Sequence, residues 1–180
     1  MQGRRIGLLA ISLIFILFGA ARAQDTSDQK IGIPIYDPVS KRYFAMMASD
    51  PQHTTWDNVY QQARGLYYKG VQGRLAIVDS IEVHEFLLMH WPLKYFEDAW
   101  IGMRYLCRAR KLIWSDGKVY QRNGFEAWDK NWKQDVYFCT DTNDPNDWAP
   151  VAYSPQFTWI AKGRHKGYAW YFMEFPTGHP

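Results

Sequence analysis

No apolar run in this sequence has the length of a membrane span. The most apolar stretch, Ile6 to Phe18, is 13 residues interrupted only by Gly7 and Ser12, and a spanning helix needs about 20. There is no internal repeat and no low-complexity tract, so neither a solenoid nor a tethering linker is expected. Catalytic signatures are missing as well. No His-Glu-x-x-His pair and no Gly-x-Ser-x-Gly elbow occurs, and His84 and His90 lack the i,i+4 spacing of a helical metal pair. Without a nucleophile–base motif an enzyme is not expected, and Cys107 or Cys139 would serve as a nucleophile only if unpaired.

What is present begins with the first 23 residues. Arg4 and Arg5 form a basic start, Ile6 to Phe18 an apolar centre, and Ala21-Arg22-Ala23 a small-residue end. That order is a cleavable secretory signal, and the short apolar run argues against an uncleaved anchor. Its removal takes Arg4, Arg5 and Arg22 and no acidic residue. Three of the 21 basic residues are lost against none of the 18 acidic ones, so the two signs balance. The whole-chain pI of 8.8 is thus carried by the signal. A neutral mature chain has no electrostatic case for nucleic acid.

The domains expected are a signal peptide over 1–23, a polar lead-in over 24–35 and one domain over 36–180. Secreted or periplasmic localisation follows. The Ala-x-Ala end suits a bacterial periplasm or secretion, and a eukaryotic secretory route stays open. In an oxidising compartment Cys107 and Cys139 are expected to pair, two free buried thiols being the alternative. Aromatic content is high, with 10 Phe, 9 Trp and 12 Tyr, of which only Phe15 and Phe18 lie in the signal. Either the core is rich in rings or some are displayed for stacking.

Along the mature chain, Arg42 to Met47 reads as a strand. Thr54-Thr55 reads as the cap of a helix whose buried face is Trp56, Val59, Tyr60, Ala63 and Leu66. Leu75 to Val78 reads as a short strand, and Ser80 caps a second helix over Ile81 to about His90, stopped by Pro92. Short strands follow at Trp100–Met103 and Lys111–Trp114, with an Asp-Gly turn at 116–117. Residues 128–149 are long, polar and irregular. Strands return at Val151–Tyr153, Phe157–Ile160 and Gly167–Phe175. In the last, Trp170 and Phe172 face one way, Tyr171 and Met173 the other. Helices first and strands later make an α+β domain.

Five segments carry a resemblance when taken in order. They are Thr55-Trp56 with Ala63; Gly73-Arg-Leu-Ala76 leading to Glu82–Leu87; Trp100-Ile-Gly-Met103; Trp114-Ser-Asp-Gly117; and Phe125-Glu-Ala-Trp128. With Gly167 to Glu174 as a closing strand, residues 36–176 resemble the C-type lectin-like domain family. The resemblance implies two helices packed on short antiparallel strands, chain ends meeting in one sheet, and a long irregular loop where ligands bind. The family often binds sugars through calcium, an ion held by oxygen ligands that keeps positions open for sugar hydroxyls.

The family's calcium motifs are replaced here. Its Gly-Glu-Pro-Asn or Gly-Gln-Pro-Asp falls on Asp129 to Gln134, and its Trp-Asn-Asp falls on Trp159-Ile160-Ala161. The usual calcium site is therefore expected to be absent, with no cofactor required. The family's disulfides are also missing. Their positions fall near Leu66 or Tyr67 and at Met173, where a hydrophobic contact could substitute. Cys107 and Cys139 match no usual family pair.

The candidate ligand-binding residues lie in the loop: Trp132, Asp141, Asn143, Asp144, Asn146, Asp147 and Trp148. The acid- and amide-rich run 141–147 could hold calcium in another way, or be an ordinary polar loop. Trp132 and Trp148 could stack on a sugar or fill a partner's pocket, whereas Trp100, Trp114, Trp128 and Trp159 are expected in the core. The basic turn Lys162–Lys166 is expected to be solvated, or to meet an acidic glycan or anionic surface. The resulting expectation is an exported binding protein for a glycan or a protein ligand, with no membrane span in the mature chain. The alternative is an assembly subunit using the same loop.

Overall fold

β6 (Ala99–Leu106) joins the two halves of the molecule. It lies parallel to β10 (Trp170–Phe175) and antiparallel to both β7 (Lys111–Trp114) and β8 (Trp148–Tyr153). The computed structural model describes residues 32–50, 54–93, 97–121, 124–132, 139, 144 and 146–180. The expected signal peptide over 1–23 and the start of the expected lead-in lie outside the described residues.

The sheet order is β1 (Ile35–Asp37), β2 (Arg42–Ala48), β10, β6, β8, β9 (Trp159–Ala161). β5 (Arg74–Leu75) also pairs with β10, and a small separate ribbon joins β3 (Tyr67–Tyr68) to β4 (Val71–Gln72). β2 pairs with β10 over six registered positions, from Tyr43↔Phe175 to Ala48↔Trp170. The two ends of the domain thus meet in one sheet, and the α+β C-type lectin-like architecture is observed.

Side chains alternate across a strand, and both faces of this sheet are covered. In β10, Phe172 belongs to one core cluster with Trp170 packed on it, while Tyr171, Met173 and Phe175 belong to the other. The first cluster gathers α2 (Ile81–His90), Trp91, Trp114 and Trp159; the second gathers α1 (Trp56–Gly65), Trp100 and Trp148.

The helices show where local signals held. Ser80 caps α2, its hydroxyl accepting from the Val83 amide at 3.3 Å. Thr55 sits at the start of α1 but makes no side-chain cap bond. α1 buries Trp56, Val59 and Ala63 as expected, but it ends at Gly65, which leaves Leu66 39% exposed. The expected strand 75–78 is shorter: only Arg74–Leu75 pairs in the sheet, and Ala76 to Val78 are buried without strand pairing.

Two glycines explain why the family-like motifs carry glycine. A Cβ on Gly102 would lie 2.5 Å from the Leu75 carbonyl oxygen and 2.6 Å from Ser115 Oγ. One on Gly73 would lie 2.5 Å from Met173 Cε and 2.7 Å from the Ala63 carbonyl oxygen. Met173 therefore packs into the space over Gly73, beside Ala63 and Leu75. A hydrophobic contact does stand at Met173, but its partners are these residues and not the exposed Leu66.

Candidate functional site

The chain after Phe125 is tied to β9. Trp159 donates its amide to the Ala127 carbonyl at 2.6 Å, and the Asp129 amide donates to the Trp159 carbonyl at 3.1 Å. A tight turn follows. Asp129 Oδ1 accepts from the Asn131 amide at 2.8 Å, and the Trp132 amide donates to the Asp129 carbonyl at 3.0 Å. An aspartate closing its own turn in this way is ordinary turn chemistry. Here it folds Trp132 back onto Trp128, their rings stacked at 4.3 Å and 30°.

Trp128 is held from beneath by Trp159, edge-on at 5.2 Å, so the stack is rooted in the core. Trp132 is half-buried and also meets Tyr105 edge-on at 5.9 Å. These rings border an open groove of about 730 Å³, completed by Arg110, Lys111 and Glu126. Tyr120 lines it too. Burial, and then the neighbouring Glu126 carboxylate, push its phenol up to about 12. It stays protonated at neutral pH, with its hydroxyl donating to the Phe125 carbonyl at 3.2 Å. The groove thus offers aromatic faces, cationic donors and one carboxylate acceptor.

The other loop candidates are dispersed. Asp141 and Asn143 lie outside the described residues. Asp144 Oδ1 accepts from the Asn146 amide at 2.8 Å, closing a second turn. Asp147 is 8% exposed, and its carbonyl accepts from the Cys107 amide at 3.1 Å. Trp148 opens β8 and is also 8% exposed, edge-on to Trp56 at 5.3 Å. Its indole is a core ring, covered on the outside by the Arg164 guanidinium at 4.5 Å. Trp148 and Ala149, expected at the end of the irregular segment, thus belong to β8. The basic turn is not freely solvated along its length either: Lys162 pairs with Asp98 at 2.7 Å and Arg164 with Asp57 at 3.4 Å.

A disulfide joins Cys107 to Cys139, with Cα atoms 5.8 Å apart. It fastens the loop to the end of β6. The two sulfurs and an Asp147 carboxylate oxygen lie within 4.8 Å of one another, but metal binding needs free thiolates and both sulfurs are consumed by the bridge.

The calcium position usual in the family does not fit these residues. At Ile160 and Ala161, both in β9, the side chains are hydrocarbon, and Ala161 is wholly buried. Asp129 opens the other stretch of that calcium position, and both its oxygens accept from the protein: Oδ1 from the Asn131 amide, and Oδ2 from the Thr158 hydroxyl at 3.3 Å.

Tyr105, Arg110, Lys111, Tyr120 and Glu126 were not legible as site residues, because they lie before the loop in sequence. β6 runs on to Leu106, three residues beyond the expected strand. Its alternation is the signal that would have placed Tyr105 beside Trp132.

The described residues form a two-face core with an aromatic groove at one side. The model of the lectin C-type domain matches residues 54–160, more than half of the chain. The chain belongs to the C-type lectin domain family, whose members are in general binding modules. Among solved structures it is similar to the C-type carbohydrate-recognition domain of cow CD23, crystallised with a GlcNAc2Man3 oligosaccharide. The identity is 18% and the TM-score 0.55, over 78% of this chain and 91% of that one. It is also similar to the C-type lectin CEL-I of Cucumaria echinata, at 17% identity and TM-score 0.53, over 74% and 89%. Human lithostathine is a third, at 14% and 0.53, over 74% and 91%. These likenesses establish the fold. No curated protein matches the chain at the level of sequence.

Proposed function

We propose that this is an exported binding protein that takes a carbohydrate or protein ligand on the surface of its 128–149 segment, without the calcium site usual in its family. The observation that carries this reading is the Trp132–Trp128 stack, rooted on Trp159 and bordering the groove. An aromatic face held in place covers the apolar side of a sugar ring or anchors a partner's side chain at low entropic cost. The groove's volume of about 730 Å³ falls within the roughly 300–1,000 Å³ range of small-ligand sites.

Calcium independence is supported by the hydrocarbon side chains at 160 and 161 and by the prior commitments of Asp129. Export is supported by the signal-like residues 1–23 and agrees with the Cys107–Cys139 bridge. Among the described residues no helix is long and apolar enough to cross a membrane.

Screening the protein against immobilised glycans, with calcium and with a chelator, tests this function. The expected result is a set of bound glycans unchanged by chelation. Binding that vanishes with the chelator would overturn calcium independence. Binding to no glycan, together with a defined assembly by mass measurement in solution, would favour a protein ligand or an assembly role for the loop.

A further inference from the structure

β6 presents its side chains to two different faces. Ile101, Met103 and Tyr105 belong to the side of the Trp128–Trp132 groove, whereas Trp100, Arg104 and Leu106 belong to the side covered by α1. On the α1 side lies a second groove, of about 450 Å³, with Tyr60, Arg64, Gln72, Arg74, Arg104 and Asp116 in its walls. We infer that this groove is a second binding site, for a sulfate or carboxylate group carried by a saccharide.

Its walls hold unused donors. The Arg104 guanidinium lies 5.2 Å from the ring of Trp56 and 5.2 Å from that of Trp148. Its Nε is buried and has no hydrogen-bond partner, which is uncommon for a buried polar atom and asks for a reason. Arg64 lies 5.4 Å over the Tyr60 ring, and its Nη1 donates to the Tyr60 hydroxyl at 3.1 Å. Among the described residues neither Arg64 nor Arg104 has a carboxylate partner. A guanidinium is a planar fork matched to two oxygens of one anion. Packing against rings fixes each fork before a ligand arrives, so less freedom is lost on binding.

The groove's charge points the same way. Three guanidiniums face it against one carboxylate, Asp116. That carboxylate is already held by Lys118 Nζ at 3.1 Å, by the Lys118 amide at 3.0 Å and by Arg74 at 3.6 Å. Glu174 lies wholly buried behind Arg74 and is shared with Arg42. The remaining positive potential belongs to Arg64 and Arg104. The groove is far larger than a bare oxyanion. The Tyr60 hydroxyl, which accepts from Arg64 and still has its proton to donate, and the side-chain carbonyl of Gln72, whose Nε2 donates to the Arg64 carbonyl at 2.8 Å, suit the hydroxyls of a sugar ring carrying that anion.

The test is calorimetric titration of the protein with a monosulfated disaccharide, with the unsulfated disaccharide and with sodium sulfate. The sulfated disaccharide should bind, and the unsulfated one should bind at least about tenfold more weakly, as expected for loss of a charge-assisted contact. Arg64→Gln, at the exposed end of α1, and Arg104→Lys, which keeps the stem and charge but loses the fork, should each weaken binding about tenfold. Met89→Ala, exposed on α2 and in the wall of neither groove, should leave this binding unchanged, whereas loss of the binding in Trp132→Ala would place the disaccharide in the groove on the other face of β6 and overturn the proposal. Absence of saturable binding by the sulfated disaccharide, or wild-type affinity in both arginine variants, would overturn the proposal. Inorganic sulfate binding as tightly as the disaccharide would overturn its saccharide part and leave a free-anion site.

Discussion

Glu174 shows how a single residue can organise the sheet. Its side chain is fully buried in β10, yet each oxygen is used: Oε1 accepts from Arg74 Nε at 2.7 Å, and Oε2 from Arg42 Nη1 at 2.9 Å and the Ile77 amide at 3.1 Å. Arg42 also holds Asp79 at 2.7 Å. One carboxylate thereby ties β2, β5 and the buried stretch 76–78 to the closing strand. Burial alone pushes this carboxyl up, and the two guanidiniums oppose it. Removing one member of such a cluster leaves uncompensated buried charge. Glu174→Gln should therefore cost about 3 kcal/mol in urea unfolding; a loss below about 1 kcal/mol would show that the charge is not needed. The cluster was not legible in advance. Arg42, Arg74 and Glu174 are far apart in sequence, and only strand register brings them together. The motif glycines, by contrast, were legible, because Gly73 and Gly102 sit where backbone and side chains leave no room for a Cβ.

Among the elements, β6 does the most to position function. Its far end carries Tyr105 towards one groove and Arg104 towards the other, and the turn after it begins at Cys107. The disulfide to Cys139 anchors a segment whose described part has few strand bonds. In the chain-entropy model, closing a loop of sequence separation 32 stabilises by about 3–4 kcal/mol. A Cys107→Ser, Cys139→Ser double variant should lose about that much stability while keeping its far-ultraviolet circular dichroism. Unchanged stability would mean that the loop is held by other contacts.

The helices and most strands were legible from caps and periodicity. Where sequence and structure differ, tertiary contacts decided the outcome. Thr55 has a capping side chain that goes unused. Leu66 has the right spacing but falls past the helix end. Trp148 sits in a polar sequence yet starts a fully buried strand. A polar neighbourhood does not show whether an aromatic ring is displayed, because burial depends on what packs across the sheet.

For the whole molecule, the balance of basic and acidic residues over 24–180 hides two differently charged faces. One carries stacked indoles with mixed charges, the other two guanidiniums that have no carboxylate partner among the described residues. Neither proposed site calls on a metal, which departs from the calcium chemistry usual in the family. The family-like segments were enough to name the fold, since they mark close approaches that any chain of this architecture must make. The candidate ligand face was only partly legible. Trp132 was among the candidates, but the groove is built jointly by Trp128, Trp132 and residues of β6, β7 and the turns around them. The central claim is that ligand is met at the Trp128–Trp132 stack. It is tested most directly by the affinity of Trp132→Ala for a glycan identified in the chelator-controlled screen. Loss of a stacking ring should weaken binding about tenfold or more, with the melting temperature little changed because Trp132 is only half-buried. Wild-type affinity in that variant would contradict the claim.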